Sequence, residues 1–317
     1  MQAAILQEPG KFILETRDIP SPGQSQVLIR TGVCGVCTSE LDMWTGEAKD
    51  LEYPRFIGHE VAGTVVAVGD GVQEVQNGDR VAVFAEGRGY AEYIVEDVSR
   101  LYVLKEETPF DLALGEPIAC SVNGVRKLDP QFNDSVAIVG TGFMGLIMTQ
   151  LFRIRGAGKV IAIDTRESML ELAKKCGATH TLNPTENDVV SEVKALTDGA
   201  GVDIGVEAAG KQATLDSIAK LVRMEGKLEI FGFHQGEPRT INMAHWNWMA
   251  FDLVNGHTRS AHIYVEGMEI GLQLLESGKL VMDDLVTHRY PLAEINEAFR
   301  TATQKSDDFV KGVIIFE

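Results

Sequence analysis

The chain has 317 residues, 44% of them hydrophobic and 24% charged, values that exclude a disordered polymer and point to two folded domains, since single cores stop growing near roughly 250–300 residues. A formal net charge of -17, from 29 Lys and Arg against 46 Asp and Glu, excludes nucleic acid and anionic membrane as main partners, because both are bound largely through cationic side chains. Four cysteines, at 34, 37, 120 and 176, are too few for a disulfide framework, and neither a basic-then-apolar leader nor an apolar run of roughly 18 residues is present, so a cytoplasmic protein is expected.

Residues 1 to about 120 carry short Val- and Ile-rich runs broken by Gly, Pro and Asp. Examples are Gln26-Val27-Leu28-Ile29-Arg30 and Val61-Ala62-Gly63-Thr64-Val65-Val66-Ala67-Val68-Gly69, whose period of two predicts a β-rich, barrel-like half. Near residue 121 the texture changes. Ser135–Val139, Gly142–Arg155, Val160–Asp164 and Glu167–Cys176 alternate strand with helix, which predicts a parallel sheet covered by helices. Further strands are expected at Val202–Glu207 and Lys227–Gly232. From about residue 263 a tail follows, with a helix over Tyr264–Ser277 and a strand over Lys311–Phe316. The expected division is therefore 1–120 with 263–317 for the β-rich domain and 121–262 for the α/β domain, an α/β fold overall.

In the α/β half, Ser135-Val136-Ala137-Ile138-Val139-Gly140-Thr141-Gly142-Phe143-Met144-Gly145 is a strand entering Gly-x-Gly-x-x-Gly and then an apolar-striped helix. Gly140 permits the tight turn, Gly142 lets the backbone approach a pyrophosphate, and Gly145 allows close helix–strand packing. Phe143 and Met144 lie at the helix N-terminus, where free N–H groups serve phosphates. About 20 residues beyond the middle glycine, a second strand ends in Asp164, placed to accept from ribose hydroxyls. Its carboxylate would repel a 2′-phosphate and predicts NAD; Arg166, two positions on, is the feature that would accommodate NADP instead.

In the β-rich half stand Thr31-Gly32-Val33-Cys34-Gly35-Val36-Cys37-Thr38-Ser39-Glu40-Leu41-Asp42-Met43-Trp44-Thr45-Gly46 and Gly58-His59-Glu60-Val61-Ala62-Gly63-Thr64-Val65. Together with Asn77-Gly78-Asp79-Arg80-Val81, Gly89-Tyr90-Ala91-Glu92-Tyr93 and Gly115-Glu116-Pro117-Ile118-Ala119, these segments make the whole chain resemble the zinc-containing medium-chain dehydrogenases. The resemblance implies a GroES-like catalytic domain with a doubly wound Rossmann domain, and one catalytic zinc on Cys37 and His59. Glu60 or Glu116, or each in turn, completes the sphere, Glu116 either as ligand or as holder of the metal's water. A zinc with three or four N, S or O ligands and one exchangeable position lowers the pKa of an alcohol and prepares it to release hydride. Ser39 would take the alcohol proton first; Asp42 stands where many relatives have a relay His. Ala208, in Val206-Glu207-Ala208-Ala209-Gly210, and Gly232, in Phe231-Gly232-Phe233, are implied to face the nicotinamide, and Lys311 to contact the pyrophosphate.

Cys34 falls outside this register and reads as a small core residue, while Cys120 and Cys176 read as packing residues. The four-cysteine lobe that binds a second, structural zinc in many relatives is absent, which sets the expected metal count at one. His245-Trp246-Asn247-Trp248 reads equally as a substrate or subunit contact and as buried core. The expected activity is reversible oxidation of a secondary alcohol or polyol to a ketone with NAD, in a homodimer or homotetramer. Two other readings are a zinc-free quinone or enone reductase on the same fold and a non-enzymatic, NAD-binding redox-sensing subunit.

Overall fold

A computed structural model describes residues 1–48 and 50–317. Along the chain the strands are β1 (Gln2–Glu8), β2 (Lys11–Thr16), β3 (Gln26–Gly35), β4 (Glu60–Val68), β5 (Arg80–Phe84), β6 (Tyr93–Asp97), β7 (Leu101–Val103), β8 (Ser135–Val139), β9 (Lys159–Ile163), β10 (His180–Leu182), β11 (Val202–Glu207), β12 (Val222–Ile230), β13 (Asp252–Asn255), β14 (His288–Pro291) and β15 (Gly312–Ile315). The helices are α1 (Thr38–Thr45), α2 (Gly115–Leu128), α3 (Phe143–Ile154), α4 (Glu167–Lys175), α5 (Val189–Leu196), α6 (Gln212–Ile218), α7 (Met243–Met249), α8 (Ala261–Glu276) and α9 (Ile295–Gln304). Among the described residues, no helix is long and apolar enough to cross a membrane.

The chain divides into two compact units, one of 1–119, 259–278 and 282–317, the other of 120–258 and 279–281. The expected cuts were after 120 and after 262, and the short 279–281 segment was not foreseen. Gln150 explains that segment: its side-chain amide bonds both the N–H and the carbonyl of Val281, tying it to the second unit.

The first unit is built on a sheet ordered β14-β15-β3-β4-β5-β7, with β6 added to β3 and a separate β1–β2 hairpin. Alternating apolar residues of these strands meet α9, which buries Ile295, Ala298, Phe299 and Ala302 at the i, i+3, i+4, i+7 spacing of a one-sided helix. Phe12, Trp44, Tyr90 and Phe299 form an aromatic cluster at this core, with centroid separations of 4.7–6.1 Å.

The second unit is a six-stranded parallel sheet ordered β10-β9-β8-β11-β12-β13. The chain leaves β8 first toward β9 and β10 and then returns to build β11, β12 and β13 on its other side. That reversal places a crevice at the carboxyl end of β8, where doubly wound sheets take ligands. Trp246 of α7 is buried in this unit's core, whereas Trp248 is exposed.

Glu229, near the carboxyl end of β12, is wholly buried, and neither of its carboxylate oxygens has a hydrogen-bond partner. A Cβ at Gly124 or at Gly256 would come within 3.1 and 2.8 Å of it, so the group is sealed by close-packed backbone. Burial pushes its pKa up to about 8, and the Lys127 charge opposes this only in part. The unfolded carboxyl loses its proton near 4.5 while the folded one keeps it, so stability is greatest below that pH and declines as pH rises toward 8. Glu229→Gln removes the titration and should flatten the profile. Thermal melts from pH 4 to pH 8 should show the variant gaining on the wild type by on the order of 3 kcal/mol by pH 7; parallel profiles would show that Glu229 ionises freely in the fold.

Candidate metal centre and dinucleotide crevice

In the first unit, strand register assembles the candidate metal ligands. Gly35 at the end of β3 pairs with Glu60 at the start of β4, which sets Cys37, just past β3, beside His59 and Glu60. The ligand atoms of Cys37, His59 and Glu60 all lie within 4.8 Å of one another, the one such group among the described residues. Ligands at about 2.0–2.3 Å from one zinc are themselves roughly 3–4 Å apart, so the set is compact enough for a single ion, and thiolate, imidazole and carboxylate are zinc's usual donors. Glu116 is outside this group, although its charge acts on Lys311.

The carboxylate of Glu40, in the first turn of α1, organises the centre. It is buried and accepts from the Gly58 N–H at 2.7 Å, from His59 Nδ1 at 2.9 Å and from the Tyr90 hydroxyl at 2.5 Å. Tyr90 also lies 2.9 Å from the Gly35 carbonyl, but it has one proton, and the shorter, charge-assisted bond to Glu40 takes it. Burial alone would raise the Glu40 pKa; the His59 charge and these hydrogen bonds outweigh it and hold the carboxyl below its ordinary range. With His59 Nδ1 committed to Glu40, Nε2 is left for the Cys37 thiol, with which His59 also bonds, or for a metal. The sequence pattern contained Glu40 as a spacing mark only, and its orienting role appears once Gly58, His59 and Tyr90 converge on it.

Glu60 is buried beside an equally buried cation. Lys311 Nζ is 2.8 Å from Oε1 and donates to it, and also donates to the Val36 carbonyl at 2.8 Å. It lies 2.6 Å from Oε2 as an ion pair, yet Oε2 lacks a well-directed hydrogen bond. That under-satisfied oxygen within the Cys37–His59 group is what a metal would complete. Space for the carboxylate depends on Gly35, because a Cβ there would fall 1.9 Å from Glu60 Oε2. Burial disfavours the Lys311 charge, but Glu60, Cys37 and Glu116 together raise its pKa. Lys311, expected on the pyrophosphate, has its ammonium on Glu60 and the Val36 carbonyl in the first unit.

Ser39 Oγ donates to Cys37 Sγ at 3.3 Å, which puts the hydroxyl at the ligand group. Asp42, three residues on along α1, has its carboxyl raised by burial and by Glu47, with Lys305 opposing. Cys34 is fully buried and its thiol is pushed well up, first by burial and then by Glu40 and Glu60, which keeps it protonated and fits the core role expected of it.

In the second unit, Gly140 ends β8 with φ +97°, a conformation that L side chains rarely adopt, and a Cβ there would lie 2.8 Å from that of Ala209. Gly145 packs α3 against the turn, a Cβ there falling 2.2 Å from the Gly140 carbonyl. At Gly142, the N-cap of α3, a Cβ would meet nothing within 4 Å, so the space before the helix N-terminus is open. Phe143 and Met144 follow as the first residues of α3. Asp164, past β9, accepts from the Thr141 N–H through Oδ2 at 2.9 Å and from the Arg166 N–H through Oδ1 at 3.0 Å, and Arg166 Nε lies 3.8 Å from Oδ1. A carboxylate accepts about four hydrogen bonds, so capacity remains for a ribose diol. Ala208 and Gly232 lie past the carboxyl ends of β11 and β12, Ala208 bonded to the Val139 carbonyl and Gly232 to that of Glu207.

Two family models match the chain: an alcohol dehydrogenase GroES-like domain over residues 23–106 and a zinc-binding dehydrogenase domain over 144–261. Sorbitol dehydrogenase of Bacillus subtilis is 30% identical, the match covering 99% of this chain and 97% of that protein. L-threonine 3-dehydrogenase of Pyrococcus abyssi is 31% identical over 86% of each. Among solved structures, an Escherichia coli oxidoreductase/dehydrogenase of unknown specificity superposes with a TM-score of 0.90 at 27% identity, covering 100% of this chain and 99% of that one.

Proposed function

Since the chain belongs to the zinc-type medium-chain dehydrogenase family, we propose that it oxidises a secondary alcohol or polyol to the ketone, reversibly, with one zinc and NAD. The observation that carries this reading is the compact Cys37–His59–Glu60 group with its under-satisfied Glu60 oxygen. Similarity to sorbitol and threonine dehydrogenases supports the substrate class, both names denoting oxidation at a hydroxyl-bearing carbon.

Cys37 and His59 would hold the metal as fixed ligands. Glu40 keeps the His59 ring oriented by accepting at Nδ1. Glu60, charge-compensated by Lys311, would be the third residue to hold the metal, with Glu116 as the alternative carboxylate. When bound, zinc would act as a Lewis acid that makes the substrate hydroxyl more acidic. Ser39, whose hydroxyl lies beside Cys37, would accept that proton as it passes its own on toward solvent, with Asp42 further along the same helix. The Gly140–Gly145 turn would seat the pyrophosphate, and Asp164 the adenosine ribose, of the hydride acceptor.

The test is initial-rate reduction of NAD⁺ and NADP⁺ across secondary alcohols, sugar alcohols and hydroxy amino acids. Asp164 should favour NAD⁺ in kcat/KM by about tenfold or more, the size of one charge-assisted hydrogen bond to the ribose lost to a phosphate. A higher kcat/KM with NADP⁺ would mean that Arg166 overrides Asp164.

A further inference from the structure

Beyond the glycine turn, the second unit contains a buried charged network that the reaction as described leaves unused. Glu207, the last residue of β11, is wholly buried. Its Oε1 accepts from the N–H groups of Ala209 at 3.0 Å and Gly210 at 2.8 Å and from the Thr214 hydroxyl at 2.6 Å. Its Oε2 lies 2.8 Å from His234 Nε2. Arg239 Nε in turn donates to His234 Nδ1 at 3.2 Å, and its guanidinium reaches the Gly210 and Gln235 carbonyls.

The donors fix the direction of this chain. Nδ1 of His234 receives a hydrogen bond and so bears no proton; Nε2 must then be the protonated nitrogen and donate to Glu207. The same carboxylate therefore grips the loop after β11 through its N–H groups and the loop after β12 through His234. Backbone bonds from Phe231 and Gly232 to the Glu207 carbonyl, 2.9 and 2.7 Å, close the junction. A Cβ at Gly232 would fall 2.6 Å from Glu207 Oε2 and 2.3 Å from the Gly210 nitrogen, so the two loops meet at this group.

Sheet order says which part of a dinucleotide these loops would serve. With pyrophosphate at the end of β8 and the adenosine ribose on Asp164 beside β9, the other half of the molecule must run the opposite way, over the ends of β11 and β12. We propose that Glu207, His234 and Arg239 form a fixed-tautomer clamp on the loops carrying Ala208 and Gly232, which makes Glu207 and His234 positioning residues for the nicotinamide half of the cofactor. The inference rests on the dinucleotide reading of this unit.

Two ligands separate a clamp of one half from general support of the fold. NADH spans both halves, whereas ADP-ribose lacks the nicotinamide ring. Glu207→Gln keeps an acceptor for the loop N–H groups but turns an NH₂ toward His234, which must then accept at Nε2 and place its proton on Nδ1 against Arg239. Calorimetric titration of Glu207→Gln and His234→Phe should show NADH weakened by about tenfold, one charge-assisted hydrogen bond, with ADP-ribose changed less than about twofold. The ¹⁵N spectrum of His234 should report the Nε2–H tautomer in the wild type and its loss in Glu207→Gln. Should either variant fail to fold, Arg239→Met breaks the chain at its outer end and should move NADH alone in the same direction. Equal weakening of both ligands, or unchanged NADH affinity, would overturn the clamp. A wild type that binds neither ligand would remove the dinucleotide reading itself, a failure distinct from that of the clamp.

Discussion

Cys37→Ala and His59→Ala should each purify with less than about a tenth of the wild-type zinc and lose activity by more than the roughly 10–100-fold typical of an outer-shell partner. The reason is coordination number: catalytic zinc keeps three protein ligands and one exchangeable position, so deleting a thiolate or an imidazole leaves too few. Glu40→Gln, which disturbs the His59 orientation without removing a ligand, should fall within that 10–100-fold range in metal affinity. Cys34→Ala is the control. Its sulfur is fully buried, outside the Cys37–His59–Glu60 group, and kept protonated by burial and by Glu40 and Glu60, so zinc content should stay at the wild-type level. Elemental analysis of the four purified variants, with turnover on the same samples, reads all of these. Full metal in Cys37→Ala or His59→Ala would mean that the ligand group has been assigned to the wrong side chains.

Lys311→Met should destabilise the metal-free protein by about 3–5 kcal/mol, because it strands the buried Glu60 carboxylate without its cation. The pair is 2.6 Å apart with both side chains almost fully enclosed, the setting in which breaking one partner costs far more than the pair itself contributes. Glu60→Gln combined with Lys311→Met removes both charges and should recover most of the loss. Urea unfolding of the wild type, the two single variants and the double variant closes the cycle. Additive single effects would show that Lys311 and Glu60 do not act as a pair.

Legibility from sequence varied with the range of the interaction. The glycine turn was readable because its signal is local: a strand, three glycines at fixed spacing and a carboxylate one strand later each impose a backbone demand, and Gly140, Gly142 and Gly145 meet it in the structure. Strands β8, β9 and β11 were expected within a residue of their observed bounds for the same reason. Three-residue β10 and the amphipathic α9 were not expected. The first is too short to show a period, whereas the second does carry a local signal, the stripe of Ile295, Ala298, Phe299 and Ala302. The Glu60–Lys311 pair and the Glu207–His234–Arg239 chain were likewise invisible, because they depend on which β-strand ends and loops converge. The resemblance singled out Lys311 for the pyrophosphate, and its pairing with Glu60 lay outside that expectation. Trp246 and Trp248, two positions apart on one helix and indistinguishable as residues, are separated by the packing of α7 into a buried and an exposed member.

The central claim, a single catalytic zinc serving NAD-linked alcohol oxidation, is tested most directly by measuring the zinc-to-chain ratio and the rate of NAD⁺ reduction together while a chelator withdraws the metal. One zinc per chain at the start, a rate that declines in proportion to zinc removed, and recovery on adding zinc back is the predicted result. Two metals per chain, or full turnover in protein carrying none, would contradict it, and the second outcome would favour a zinc-free reductase on the same fold.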